Sequence, residues 1–251
     1  MNEVLFALSV FFCLTGASLG VLLTYGKLPA NHRQDDTQNV VRLIANIFVV
    51  MTSLVLGLMI NSAKGRFDGI NRDVHTFTTD LILLDRLLSL YGPEANDTHL
   101  RLVAYAERAA DSKWTSSDPV LVSDRTSEQL LNEVGSSLRA LKPVDDGHLS
   151  IWNDAREQYR KLVELRWALV EQAEGSIPAS LLAMVVAWLV LIFGSFGFRA
   201  PRNIVVVASF IAASALITGA LYLIVDMDAP FGGPIHISSA PLQRAIAEMR
   251  R

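Results

Sequence analysis

LIANIFVVMTSLVLGLMINSAKGRFDGINRDVHTFTTDLILLDRLLSLY occupies residues 43–91. From Leu43 to Ala63 it contains no Asp, Glu, Lys or Arg. At 1.5 Å of rise per residue such a run covers about 30 Å, the hydrocarbon thickness of a bilayer. Beyond it, Phe67, Ile70, Val74, Phe77, Leu81, Leu84, Leu88 and Tyr91 follow one another in steps of three and four. That spacing lays eight apolar side chains along one helical face. Nothing between Ser62 and Phe67 stops a helix, so a single helix is expected to leave the membrane as a stalk and end at Gly92-Pro93.

The same charge-free character recurs at Val4–Gly26, Ser176–Phe198 and Asn203–Val225. Four such runs predict an all-α membrane protein: four transmembrane helices, with a helical-bundle stalk between the second and third. The expected division is a first hairpin at 1–63 (helices about 4–26 and 40–63) and a polar domain at 64–175. A second hairpin follows at 176–225 (helices about 176–198 and 203–225), then a tail at 226–251 with a short helix. The Met1-Asn2-Glu3 start has no basic residue and the first run is longer than a signal-peptide core, so this helix is expected to be retained. Cys13 is the single cysteine, which leaves no internal disulfide.

Residues 64–174 carry 14 Lys and Arg against 19 Asp and Glu, the composition of a water-exposed region. After the stalk helix a second is expected from about Glu94 to Asp111. A third should start at a Ser123 or Asp124 cap, with a stripe of Leu130 or Leu131, Val134, Leu138 and Leu141. From Trp152, the positions Ala155, Tyr159, Leu162, Arg166 and Leu169 step by three and four toward the third membrane run. The stalk's apolar stripe admits two readings, a core within the chain and a contact between subunits.

Catalytic signatures are scarce, and no enzyme is expected. The histidines at 32, 75, 99, 148 and 236 have no metal-ligand spacing. Gly194-Ser195-Phe196-Gly197 lacks the glycine at 193 that a nucleophile elbow needs, since Phe193 stands there. Gly16 and Gly20 in the first helix, and Ala208, Ala212 and Gly219 in the fourth, are spaced for close helix packing in lipid. Trp188, at mid-membrane, is expected to face other helices.

The second membrane helix carries a different signal. Arg42, Asn46, Ser53, Gly57, Asn61, Lys64 and Asp68 recur at multiples of a helical turn, so one side is polar or small from end to end. Polar groups in hydrocarbon need partners or water, so this stripe is either hydrogen-bonded between helices or faces an aqueous path. Asn46, Ser53, Gly57 and Asn61 are the pore-lining candidates; Arg42, Lys64 and Asp68 mark the membrane exits. Asp226 and Asp228 form a carboxylate pair at the last exit, read as a solvated helix end or, less simply, as ligands for a hard cation. No metal site or cofactor is expected.

Four blocks now carry a resemblance: LVLGLMINSAK through Phe67-Asp68, LLDRLLSLYGPE, SFGFRAPRN and DMDAPFGGPIHISSAPLQRAI. In this order, and over nearly the whole chain, they resemble the bestrophin-like family of bacterial membrane proteins. Asp228 with Pro230-Phe231-Gly232 resembles the Asp-Pro-Phe-Gly turn of bestrophins, which are pentameric ion channels with four membrane helices. Gly233-Pro-Ile-His-Ile replaces the acidic run of calcium-binding bestrophins, so the resemblance carries no calcium clasp. It implies a homo-oligomer in the bacterial inner membrane, a cytoplasmic polar domain with both termini on that side, and a pore for an ion lined by the second membrane helix. The alternative is a non-conducting scaffold or sensor whose helical domain binds a partner. Lipid is the surrounding medium in either case, and no nucleic-acid contact is expected. Charge alone is neutral on orientation: Lys27, Arg33, Arg42, Arg199 and Arg202 on one side balance Lys64, Arg66, Arg72 and Arg166 on the other.

Overall fold

The computed structural model describes residues 3–25, 35–111, 125–173, 175–198, 200–231 and 233–251. Eight α-helices occur among these residues: α1 Glu3–Thr24, α2 Asp35–Tyr91, α3 Asn96–Asp111, α4 Arg125–Ala140, α5 Asp146–Gln172, α6 Ala179–Gly197, α7 Ile204–Asp228 and α8 Ala240–Met249. No strand occurs among them. The helices at Val4–Thr24, Asn39–Tyr91, Ala179–Gly197 and Ile204–Asp228 are long and apolar enough to cross a membrane. The chain divides into two compact units, one of Met1–Gly65 with Ser176–Asp228, the other of Arg66–Gly175 with Ala229–Arg251.

In the first unit α1 packs against α6 and α7. Its buried core joins Val10 and Leu14 of α1, Met59 and Ala63 of α2, Val185, Leu189 and Phe193 of α6, and Leu221 and Ile224 of α7. Lipid is as apolar as these side chains, so close van der Waals fit rather than escape from water holds such helices together. The closest approach is at Gly197, where an added Cβ would lie 2.3 Å from the Ser18 carbonyl oxygen and 3.2 Å from the Leu22 amide nitrogen. Only a hydrogen fits there. Arg202 closes the same C-terminal end of α1, donating to the carbonyls of Leu22 at 3.3 Å and Leu23 at 2.9 Å. A guanidinium at these last-turn carbonyls also meets the negative end of the helix dipole.

The second unit is a bundle built on the stalk part of α2. Ile70, Val74, Phe77, Leu81, Leu84, Leu88 and Tyr91 are all buried, with Phe67 half-buried against them. They meet Leu102 and Tyr105 of α3, Leu131, Val134 and Leu138 of α4, Leu162 and Leu169 of α5, and Leu242, Ile246 and Met249 of α8. The stalk's apolar stripe is thus a core within one chain. α2 stops at Tyr91 because Gly92 takes φ +109°, a left-handed conformation that suits glycine, and Pro93 opens a short 3₁₀ turn.

The start of α5 lies upstream of the apolar stripe that predicts the helix. α5 begins at Asp146, six residues before Trp152, because the Asp145 carboxylate accepts from the His148 amide at 2.7 Å and caps the helix. That hydrogen bond, reinforced by the His148 ring, holds the Asp145 carboxyl below its ordinary range. Between the two expected stripe positions of α4, Leu131 is the buried one and Leu130 packs at the edge. The expected Ser123 or Asp124 cap lies outside the described residues.

Candidate functional site

The membrane part of α2 presents three faces. Ala45, Thr52, Met59 and Ala63 are buried, and they recur at steps of seven and four. At about 100° per residue, Asn46, Ser53, Gly57 and Asn61 lie about 130° around the helix from that buried face. All four are exposed. Ile47, Leu54 and Leu58 occupy a third face about 90° further on, and they too are exposed, at 55%, 65% and 61%. Exposure in one chain therefore does not separate the polar stripe from its apolar neighbours; chemistry does.

Among the described residues the stripe finds no other helix to bond. The Ser53 hydroxyl donates to the Val49 carbonyl of its own helix at 2.8 Å. No hydrogen bond engages the side chains of Asn46 or Asn61 among the described residues. A Cβ at Gly57 would meet nothing within 4 Å. At one end of the stripe, Arg42 and Asn46 line a cavity of about 250 Å³ with Ser195, Phe196 and Phe198. Val41, Ala45, Ser195 and Phe198 also line an apolar cavity of about 480 Å³ that reaches Ala17 and Val21 of α1. At the other end Lys64 and then Asp68 are exposed.

The carboxylate pair is not a solvated helix end. α7 runs on to Asp228, and both Asp226 and Asp228 are buried. The Asp228 carboxylate accepts from the Ser176 amide at 2.8 Å, the Ile177 amide at 3.0 Å and the Ser176 hydroxyl at 3.0 Å. A negative charge at the C-terminal end of α7 opposes that helix dipole, and these donors ahead of α6 compensate it. With its oxygens so engaged, Asp228 is a structural tie between the two helix ends. No group of three or more His, Cys, Asp or Glu able to hold a metal ion occurs among the described residues.

Gly16, Gly20, Ala208 and Ala212 lie on exposed faces, and a Cβ at Gly16, Gly20 or Gly219 would meet nothing within 4 Å. Within one chain these positions bring no helices together; Gly197 does. The signal for Gly197 was in view, inside the Gly194–Gly197 stretch, but spacing alone does not say which small residue meets a neighbouring backbone. Trp188 is half-buried and turns its ring to Phe48 of α2, centroids 6.2 Å apart. Cys13 is exposed on α1.

A family model described as a bestrophin-like domain matches residues 12–242. Among solved structures, a variant of a bacterial bestrophin homologue from Klebsiella pneumoniae superposes with a TM-score of 0.71 at 15% identity, over 99% of each chain. A second variant from that organism gives 0.68 at 13% identity, over 97% of this chain and 98% of that one. A structure described as a membrane protein gives 0.68 at 15% identity, over 96% and 97%. No curated protein matches the chain.

Proposed function

We infer function from one premise: the chain belongs to the bestrophin-like family. It is a multi-pass membrane protein, and we read it as an ion channel formed by several copies of itself. The observation that carries this reading is the exposure of Asn46, Ser53, Gly57 and Asn61. An asparagine side chain facing hydrocarbon costs free energy unless water or another polar group meets it. None of the described helices meets it, so the stripe calls for a surface beyond them. Copies arranged around a shared axis, with their stripes toward it, would supply water. The adjoining apolar face of Ile47, Leu54 and Leu58 would then rest on a neighbouring copy or on lipid. Arg42 and Lys64, near opposite ends of the stripe, would set the charge that a passing ion meets. A non-conducting scaffold would need the stripe covered by protein, and none of the described residues covers it.

Single cysteines placed along α2 in a Cys13→Ala background test the reading, because a charged thiol reagent reacts appreciably only with a thiolate in contact with water. Labelling is expected at positions 46, 53, 57 and 61 and not at 47, 54 and 58. It should reduce ion flux in liposomes by several-fold. Equal silence at all seven positions, in protein shown to be folded, would sink the pore.

A further inference from the structure

The bundle of the second unit gathers arginines where α4 meets α5. The Tyr159 hydroxyl of α5 donates to the Leu131 carbonyl of α4 at 3.0 Å, and the Trp152 indole N–H donates to the Leu138 carbonyl at 2.9 Å. Gly135 permits this approach, since a Cβ there would collide with the Tyr159 hydroxyl. Beside the seam opens a cleft of about 430 Å³ with mainly polar walls, set between Gly135 and Arg139 of α4 and Asn153, Arg156, Glu157 and Arg160 of α5. Small-molecule sites run from about 300 to 1,000 Å³ but are mostly apolar. A polar cleft of that size suits a ligand that is itself charged.

The charges of the cleft do not balance among the described residues. Three guanidinium groups face one carboxylate, and that carboxylate, Glu157, is 3.1 Å from the Lys161 ammonium, which does not line the cleft. Arg156 and Arg160 stand one turn apart on α5, a like-charge pair that works against the helix. The ion pair of Arg160 is with Glu164, at 4.0 Å, and none among the described residues engages Arg139 or Arg156. Arg139 donates to the Ser136 hydroxyl at 3.2 Å. The Arg156 guanidinium carbon lies 4.5 Å from the centre of the Trp152 ring. Stacking on an aromatic face fixes the plane of a guanidinium and leaves the N–H donors in that plane for a ligand. A carboxylate or a halide brings one negative charge. A phosphate group brings about two, with three acceptor oxygens, and guanidinium groups grip it through paired, parallel hydrogen bonds.

We propose that the cleft between α4 and α5 binds the phosphate group of a small soluble ligand, a phosphate ester or a pyrophosphate, gripped by Arg139, Arg156 and Arg160. The site is built by one chain within the second unit, so it stands or falls independently of any conduction along α2.

Isothermal titration of the purified full-length protein with inorganic pyrophosphate tests the proposal. Saturable binding is expected, weaker as ionic strength rises, and the melting temperature should climb with pyrophosphate concentration. Arg139→Gln, Arg156→Gln and Arg160→Gln should each weaken binding about tenfold or more, since each removes hydrogen bonds to a charged group. All three residues are exposed, so the variants should fold as the parent does. Glu157→Gln, which removes the one opposing charge, should tighten binding. Arg244→Gln on α8 removes a charge outside the cleft and should leave the affinity unchanged; a loss there equal to that of the cleft variants would reduce the effect to net charge and overturn the site. Nanodiscs separate the two sources of phosphate. Binding should persist in discs that contain phosphatidylglycerol as it does in phosphatidylcholine alone, and its loss there would give the cleft to a lipid headgroup and sink the soluble ligand. Absence of binding, or binding that Arg156→Gln leaves unaltered, would overturn the proposal as well.

Discussion

Asp228 ties two helix ends of the membrane unit, because its carboxylate answers two backbone amides and a hydroxyl just ahead of α6. Asp228→Ala leaves those donors without an acceptor, at a cost of roughly 1–3 kcal/mol for each buried orphan. Ser176→Ala removes one neutral-to-charged hydrogen bond and should cost about 1.5–3 kcal/mol at most. Thermal unfolding in detergent checks both: Asp228→Ala must fall well below Ser176→Ala, and equality with the parent protein would remove Asp228 as a tie. The sequence makes the aspartate legible as a membrane exit, since it ends a charge-free run. Its partner lies 52 residues earlier in the chain, and no local pattern connects the two. Arg166 is similar. Its place on the apolar period of α5 announces that it turns inward, but periodicity specifies a face and not what meets it. The stripe of Asn46, Ser53, Gly57 and Asn61 is legible for the opposite reason: its signal is polarity at fixed spacing within one helix, which needs no knowledge of neighbours.

At the scale of elements, the long apolar period of α2 is the most readable feature, and the burial of its positions makes a sharp contrast available. Leu81 is fully buried, whereas Leu83, two residues on, is 44% exposed. Leu81→Asp places an unpaired carboxylate among Leu84, Tyr105 and Leu162 and should cost several kcal/mol, enough to unfold the bundle. Leu83→Asp should stay within about 1 kcal/mol of the parent. Size-exclusion profiles and melting curves of the two variants report this directly; a monodisperse, stable Leu81→Asp protein would refute the buried seam. Helix ends were less readable than helix middles. The start of α5 depends on Asp145 reaching the His148 amide, a three-residue signal that the apolar stripe beginning near Trp152 masks. The close packing of α1 against α6 depends on one hydrogen atom at Gly197, which no count of small residues singles out.

At the scale of the whole molecule, we propose that the polar domain and the C-terminal tail lie on the cytoplasmic side, as the resemblance to bestrophins implies. Alkaline phosphatase fused after Arg251 is therefore expected to be inactive, and a cytoplasmic reporter at the same position active. The reverse pattern would turn the protein over without altering its fold. The tie between Ser176 and Asp228 also bears on how the protein is made. Ribosomes add roughly 5–20 residues per second, so 52 residues separate the two ends of the tie by about 3–10 s of synthesis. Throughout that interval, as α6 and then α7 are made, the amides of Ser176 and Ile177 have only water or lipid headgroups in place of the Asp228 carboxylate. The start of the third span thus gains its last hydrogen bonds only when the final turn of α7 arrives. Birth order, as well as final contact, is written into that carboxylate.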